Sequence, residues 1–467
     1  MTKINKHIVL ISVDTLRADC IKSSPRYGEF LNKHKVSVNL DTQPIDQILK
    51  SGIYYNNCLS AAPYTSASHA SYFTGFFPLH HNVYEYFNRR LNKTTIFEYA
   101  KRVGYKTIFK TDFPIILGQY LGFRKGIDKY YIEDENSALK ELLKSKDNKT
   151  LSFFHFAGVH YPYGFHNIKY GGIDYTKKVT LLEKKCESLL KDQGKLVDVL
   201  DETFRQADDR KLLLRYKSVI EVLYKHQKYD DLFNLYLEGI NYFFQKRFNK
   251  FLGKIKKFVD ENNGLLVIFS DHGEEWDKQS YGHHNSLSES VLRVPLIIYW
   301  KGASHRTTEH LVRTIDLAPT ILPIISGDYA NIKLDGKSLN IFNNNKISLL
   351  NRIALAQVWL TNVEKSELFN FQKKAVSKNK IDKPLPTRLA CETICNEQCR
   401  LTISYNKGGL ITSKKFVDYL KSATSADHSL LEKTLKKYNL SKSVSGLGLK
   451  SISHTIRQQL ENLGYRV

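Results

Sequence analysis

The 467-residue chain reads as an α/β protein whose central sheet is flanked by helices and followed by a smaller α+β part. Three observations predict that class. Apolar runs of strand length, such as His7–Val13 and Leu265–Phe269, each end on polar residues able to do chemistry. Segments with helical punctuation or periodicity lie between them, as in Thr42–Gly52 and Phe244–Val259. Towards the C-terminus, strand-like pieces at Ile353–Trp359 and Leu401–Tyr405 precede further helical runs.

The first run, His7–Val13, passes straight into Asp14. In a parallel α/β sheet, ligands gather at the carboxyl ends of strands, so Asp14 stands where a hard cation such as Zn, Mn, Ca or Mg would be held. Capping of the next helix is the competing role. Thr42–Gly52 then gives a helix with a glycine stop, and Ile53–Cys58 a short strand. That strand leads into Ala61–Gly75, where Thr65, Ser66, Ser68, Ser71 and Thr74 surround the imidazole of His69. With Thr65 at the N-cap of a helix, free backbone N–H groups and the macrodipole would stabilise an attacked sulfate or phosphate ester. Ordinary capping is the alternative reading here too.

Leu151–Tyr163 reads as a buried strand ending in a His-Tyr-Pro turn, with His155 open to a core role. The charged, proline-free stretch from Lys177 to Tyr229 reads as an insertion, best described as a solvated helical hairpin, with a lid over the site as the alternative. Phe244, Phe248, Phe251, Leu252, Ile255, Phe258 and Val259 recur at helical spacing, predicting an amphipathic helix with a basic outer face laid on the sheet. Strand Leu265–Phe269 delivers Ser270-Asp271-His272-Gly273-Glu274. Adjacent Asp and His offer one oxygen and one nitrogen, and with Asp14 and Thr65 they make a four-point cage for a metal. Gly282-His283-His284-Asn285 follows, then strand Arg293–Trp300, a helix from Arg313 and a loop at Pro384-Leu385-Pro386. Cys391, Cys395 and Cys399 are spaced four apart, which predicts one face of a helix, or a loop, and matches no common zinc pattern.

A net charge of +23 favours polyanions and small anionic substrates. No nucleic-acid-binding module accompanies that charge, so nucleic acid is the lesser partner. Six scattered cysteines fit a reducing compartment better than a disulfide framework. The N-terminal run lacks the form of an export signal, and no apolar stretch approaches the roughly 20 residues of a membrane span. The expected location is cytoplasmic.

Taken together, "LISVDTLRADC", "TQPIDQILKSGIYYNNCLSAAPYTSASHASYFTGFFPLHHNV", "GLLVIFSDHGEEW", "YGHHNSLSESVLRVPLIIYWKG", "RTIDLAPTILPIISG" and "LDGKSL" resemble successive blocks of the sulfatase family, within the alkaline phosphatase superfamily. The resemblance implies a mostly parallel central sheet over residues 1–340, with the insertion near 177–229, and a C-terminal subdomain over 341–467 whose antiparallel sheet helps wall the site. Thr65 occupies the place of the Cys or Ser in the family's Cys/Ser-x-Pro-x-Arg motif, with Ala67 at the Pro and His69 at the Arg. Formylglycine cannot form from Thr, and relatives with Thr here resemble phosphoester and phosphonate hydrolases. Such a hydroxyl needs a cation to lower its pKa.

The resemblance therefore implies a divalent metal held by Asp14, Thr65, Asp271 and His272. It implies catalytic roles for Thr65, His69 and His160, and substrate contacts for Ser68 and one of His283 or His284. Gly158 stands where many members have Asp, which favours a single metal, and Thr111-Asp112 replaces the family's sulfate-gripping Lys and His. The expected activity is metal-dependent hydrolysis of phosphate esters or diesters through a covalent Thr intermediate, on an anionic ester such as that of a glycan or nucleotide. Sulfate-ester hydrolysis without formylglycine, phospho-group transfer to a glycan or lipid acceptor, and non-catalytic binding of an anionic polymer are the alternatives. The oligomeric state is left open.

Overall fold

The computed structural model describes residues 6–85, 89–164, 173–191, 207–283, 285–325, 332–342, 352–361, 363, 365–378, 380–381, 384–419, 421 and 423–446. The main sheet is built from β1 (His7–Val13), β2 (Ile53–Leu59), β3 (Lys106–Thr111), β4 (Lys129–Ile132), β5 (Thr150–Phe156) and β6 (Leu265–Phe269). A two-stranded ribbon, β7 (Glu275–Trp276) and β8 (Tyr281–Gly282), stands apart from it. The main sheet is completed by β9 (Arg293–Tyr299), β10 (Arg306–Thr308) and β11 (Val312–Arg313). The order is β10-β2-β9-β6-β1-β5-β3-β4, with β11 also paired to β2.

Every described pairing in this sheet is parallel except those of β9, which runs against both β2 and β6. Two reversals cancel, so β2 points the same way as β1. The carboxyl ends of β1, β2, β5 and β6 consequently lie along one edge of the sheet. All residues of β1, β5 and β6 are buried, as expected of strands covered on both faces. Their alternation feeds two cores: Val9, Ile11, Phe154 and Ile268 pack on one side, and Ile8, Leu10, Phe153 and Val267 on the other.

The helices used below are α1 (Gln43–Leu49), α2 (Thr65–Thr74), α3 (Pro78–His81), α4 (Ile96–Arg102), α5 (Glu135–Lys144), α6 (Ile173–Lys185), α7 (Ala207–Lys225), α8 (Tyr229–Phe243), α9 (Asn249–Glu261), α10 (Leu317–Ile325) and α11 (Ser425–Gly446). Helix α9 carries the expected stripe, with Phe251, Leu252, Ile255, Phe258 and Val259 buried. A π-helical turn at Phe244–Phe248 joins it to α8 and sends Arg247 inward. The stretch from Lys177 to Tyr229 is more than the solvated hairpin expected from its charge. Leu213, Tyr216, Val219 and Ile220 of α7 are buried in the main core, because their spacing makes an apolar stripe among the lysines. The part of this stretch at 192–206 lies outside the described residues.

The C-terminal sheet is antiparallel, β12 (Ala354–Thr361), β13 (Thr387–Cys395), β14 (Cys399–Tyr405) and β15 (Ile411–Asp418) in sequential order. Ala354, Ala356 and Val358 pack against Ala62, Tyr64 and Ala67 at the start of α2. Leu355 and Trp359 share the other core with Leu431, Leu435 and Tyr438 of α11. The cysteine expectation is corrected here: Cys391 and Cys395 lie on β13 and Cys399 opens β14, all as free thiols. A spacing of four is even, so it keeps one face of a strand as well as it nearly keeps one face of a helix. No helix among the described residues is long and apolar enough to cross a membrane.

Candidate active site

Because β1 and β6 are parallel neighbours, Asp14 and Asp271-His272 emerge side by side. Thr65 joins them as the first residue of α2, whose N-cap is Tyr64 and carries no side-chain cap. Thr65 is thus one position inside the helix rather than at its N-cap, leaving its hydroxyl available to the site. That hydroxyl donates to Asp14 Oδ2 at 3.3 Å and lies 3.4 Å from His272 Nε2. His272 Nε2 is 3.8 Å from Asp14 Oδ1 and 3.4 Å from Asp271 Oδ2. One ligand atom from each of Asp14, Asp271 and His272 falls within 4.8 Å of the others.

All four residues are buried, yet Asp14 Oδ1 and Asp271 Oδ2 have no hydrogen-bond partner. Burial, then the charge of Asp271, pushes the Asp14 carboxyl well above the usual range. Burial works the same way on Asp271, but His272, His69 and His155 hold it below its ordinary value. Two orphaned carboxylate oxygens facing an imidazole nitrogen and a hydroxyl are a donor set that suits a divalent cation. Backbone strain is stored beside them. Thr15 sits at φ +60, a region unfavourable for a β-branched residue, and is held there by its N–H donating to Asp271 and by Tyr236 Oη donating to its carbonyl.

The neighbouring side chains divide into those that brace this group and those that wall it. Ser68 Oγ donates to the Asp271 carbonyl at 2.7 Å and receives Ser60 Oγ at 3.0 Å. His69 donates from Nδ1 to the Thr65 carbonyl at 2.7 Å, and its Nε2 meets Ser12 Oγ at 2.9 Å. Burial lowers its pKa to about 3, so it is neutral. Nε2 therefore ties α2 to β1, while Nδ1 braces the first turn of α2 at Thr65 from behind. His155 was open to a core role from sequence. Its Nδ1 accepts the Asp112 N–H at 3.4 Å, which leaves Nε2 to donate to Asp14 Oδ2 at 3.0 Å.

Behind His155 lies a buried ionic cluster. Lys110 Nζ donates to Asp112 Oδ1 and to the His155 carbonyl, and Arg247 bridges Asp112 and Glu135 with four hydrogen bonds of 2.7–3.0 Å.

His160 and His283 stand on the other side of the Asp14–Asp271–His272 group. His283 lies over the His272 ring at a centroid distance of 4.2 Å and bonds Glu274 Oε1 through Nδ1 at 3.1 Å. His160 meets His283 edge-on at 5.2 Å. His284 lies outside the described residues. From the stretch between Lys177 and Tyr229, Tyr224 packs edge-on against Tyr281 at 4.8 Å, and Lys217 lies 5.1 Å from the Tyr161 ring. Sequence reasoning gave no role to Glu274, although it stands in the Asp-His-Gly-Glu run, nor to Asp112 and Arg247. The latter two meet only through strand order and a π-turn.

A hydroxyl, two carboxylates and an imidazole thus meet at the carboxyl edge of a mostly parallel sheet, an arrangement in keeping with an ester hydrolase. Residues 6–327 match the family model described as Sulfatase, and the chain belongs to that family. No curated protein matches the chain.

Solved structures share the fold. One, described in complex with its substrate D-glucosamine-2-N,6-O-disulfate, is 14% identical with a TM-score of 0.63, the match covering 96% of this chain and 100% of that one. The phosphonate monoester hydrolase of Agrobacterium radiobacter is 15% identical with a TM-score of 0.55, covering 95% and 96%. The phosphonate monoester hydrolase from Silicibacter pomeroyi is 14% identical with a TM-score of 0.54, covering 97% and 98%.

Proposed function

We propose that this chain hydrolyses phosphate esters or diesters with Thr65 as nucleophile and a divalent metal as cofactor. The observation that carries the reading is the Thr65 hydroxyl set between Asp14 and His272 at a helix start, with unpartnered oxygens on Asp14 and Asp271 beside it. Asp14, Asp271, His272 and Thr65 would hold the metal, which when bound lowers the pKa of the hydroxyl and offsets the charge of the ester. Zn and Mn suit the mixed oxygen and nitrogen donors best, with Ca and Mg the harder alternatives.

Thr65 Oγ1 attacks phosphorus, and its proton passes to Asp14 Oδ2, the oxygen it already faces. The P–O bond to the leaving group breaks, and the departing oxygen takes a proton from the His160–His283 wall. Backbone N–H groups in the first turn of α2 face the transferred group's oxygens. Water then attacks the phosphothreonine and regenerates the hydroxyl. Ser68 and His69 act by position, fixing the Asp271 loop and the first turn of α2.

A phospho-group transferase acting on a glycan or lipid acceptor is the second reading. It draws on the burial of the whole reacting group, since excluding water favours an acceptor other than water. The free cysteines are in keeping with a reducing, cytoplasmic setting.

The test is turnover of p-nitrophenyl phosphate, bis-p-nitrophenyl phosphate and p-nitrophenyl sulfate by metal-stripped protein re-supplied with Zn, Mn, Ca or Mg. Phosphate-ester cleavage that needs metal and disappears in Thr65→Ala is expected, with a phosphoryl adduct on Thr65 seen by mass spectrometry of quenched reactions. Full activity in Thr65→Ala would refute the nucleophile, and preference for the sulfate would reassign the ester.

A further inference from the structure

A cavity of about 450 Å³ opens in the C-terminal region, lined among others by Leu79, Trp359, Thr387, Arg388, Tyr405 and Lys407. It lies on the face of β12 turned away from the nucleophile. Ala354, Ala356 and Val358 point to the start of α2, whereas Trp359 belongs to the core that includes Tyr405 and α11. The cavity is accordingly separated from Thr65 by the thickness of the sheet. It is still tied to it, because Tyr64, the residue before Thr65, donates its hydroxyl to the Trp359 carbonyl at 3.1 Å.

The polar groups at the base of this cavity are committed to one another. Glu392 is buried and accepts from Gln357 Nε2 at 2.8 Å, from Asn439 Nδ2 at 2.9 Å and from the Tyr405 hydroxyl. Trp359 Nε1 donates to Gln357 Oε1 at 3.0 Å, which fixes the indole. The lining above is different. Among the described residues, the side chains of Thr387, Arg388 and Lys407 have no hydrogen-bond or ion-pair partner, and Arg388 is half-buried. A half-buried arginine without a counter-ion, next to a fixed aromatic surface, is complementary to a ligand with an apolar flat face and a negative charge. The volume lies within the usual range for small-molecule sites, about 300–1,000 Å³.

We propose that this cavity is a second, non-catalytic site that binds one acidic sugar ring. The ring's C–H face packs on Trp359 and Leu79, Thr387 meets its hydroxyls, and Arg388 and Lys407 pair with its sulfate, phosphate or carboxylate. A glycan carrying such a ring is anchored on one face of the C-terminal sheet while the other face supports the nucleophile helix.

Binding is measured by calorimetry on full-length Thr65→Ala protein, so the result does not depend on the hydrolase reading. The titrants are glucose 6-phosphate, glucose 6-sulfate, glucose and inorganic phosphate, and Arg388→Gln and Lys407→Gln are each added to the same background. An acidic hexose is expected to bind about tenfold or more tighter than glucose or phosphate, and Arg388→Gln to weaken it by about tenfold, the effect of losing one charged hydrogen-bonding pair. Lys407 is exposed, so Lys407→Gln keeps the test valid if Arg388→Gln misfolds, and it should weaken binding severalfold. The two hexoses also distinguish sulfate from phosphate as the preferred charge.

Failure of both hexoses to bind at millimolar concentration would overturn the proposal, as would affinities matched by glucose or free phosphate, or unchanged by both substitutions. In otherwise native protein, Arg388→Gln should leave bis-p-nitrophenyl phosphate turnover unaltered. Loss of that turnover would place the cavity in the catalytic centre and refute its separateness.

Discussion

At the scale of single residues, His155 governs where Asp14 points. The Asp112 amide fixes its tautomer, and the opposite nitrogen holds Asp14 Oδ2, the same oxygen that receives the Thr65 hydroxyl. Residues that orient metal ligands from behind are typically worth about 10–100-fold in metal affinity or activity. His155→Ala is therefore expected to weaken Zn or Mn binding in a competition titration by that amount, with His155→Gln recovering part of it through its amide N–H. Unchanged affinity in His155→Ala would show that Asp14 needs no such support. That Asp14, Asp271 and His272 come together could be read from sequence, because each follows an apolar run that had to be a buried strand. His155 could not, since its partner is set by the pairing of β1 with β5, where Ser12 lies opposite His155. One chain's residue order does not contain that register.

At the scale of elements, the π-turn between α8 and α9 is what delivers Arg247 to Asp112 and Glu135. Removing one partner of a buried ionic group leaves uncompensated charge, which typically costs about 3–5 kcal/mol. Arg247→Met, which keeps much of the volume, should lower the free energy of urea unfolding by an amount of that order; a change under about 1 kcal/mol would mean Lys110 alone satisfies Asp112. The amphipathic period of α9 was legible, because Phe251, Ile255 and Phe258 repeat as a helix must. The extra residue of a π-turn was not, as it changes hydrogen bonding without changing composition. Cys391, Cys395 and Cys399 show the converse problem: a period of four fits either regular structure, and only the antiparallel partners of β13 decide it.

Across the whole molecule, stability is tied to keeping buried imidazoles neutral. Burial lowers the pKa of His34 and His155 to about 4 and of His69 and His81 to about 3. With unfolded values near 6.5, the unfolded chain binds protons that the folded protein refuses as pH falls through this interval. Stability should then be retained above about pH 6.5 and decline from there towards about pH 3–4, by up to roughly 1.4 kcal/mol per pH unit for each histidine. His81 lies outside the Asp14–Asp271–His272 group, so His81→Gln should flatten this slope in urea unfolding measured across the interval; an unchanged slope would assign acid sensitivity to the carboxylates instead.

The reversed strand β9 also has a consequence for biosynthesis. Among the described residues, β2 pairs only with β9, β10 and β11, all of which begin at Arg293 or later. While the ribosome makes the intervening chain, at about 5–20 residues per second, β2 waits on the order of ten seconds or more with both edges open. Nascent chains stalled before residue 293 should for that reason be strong chaperone clients, and release should coincide with the emergence of β9 rather than with completion of the C-terminal sheet.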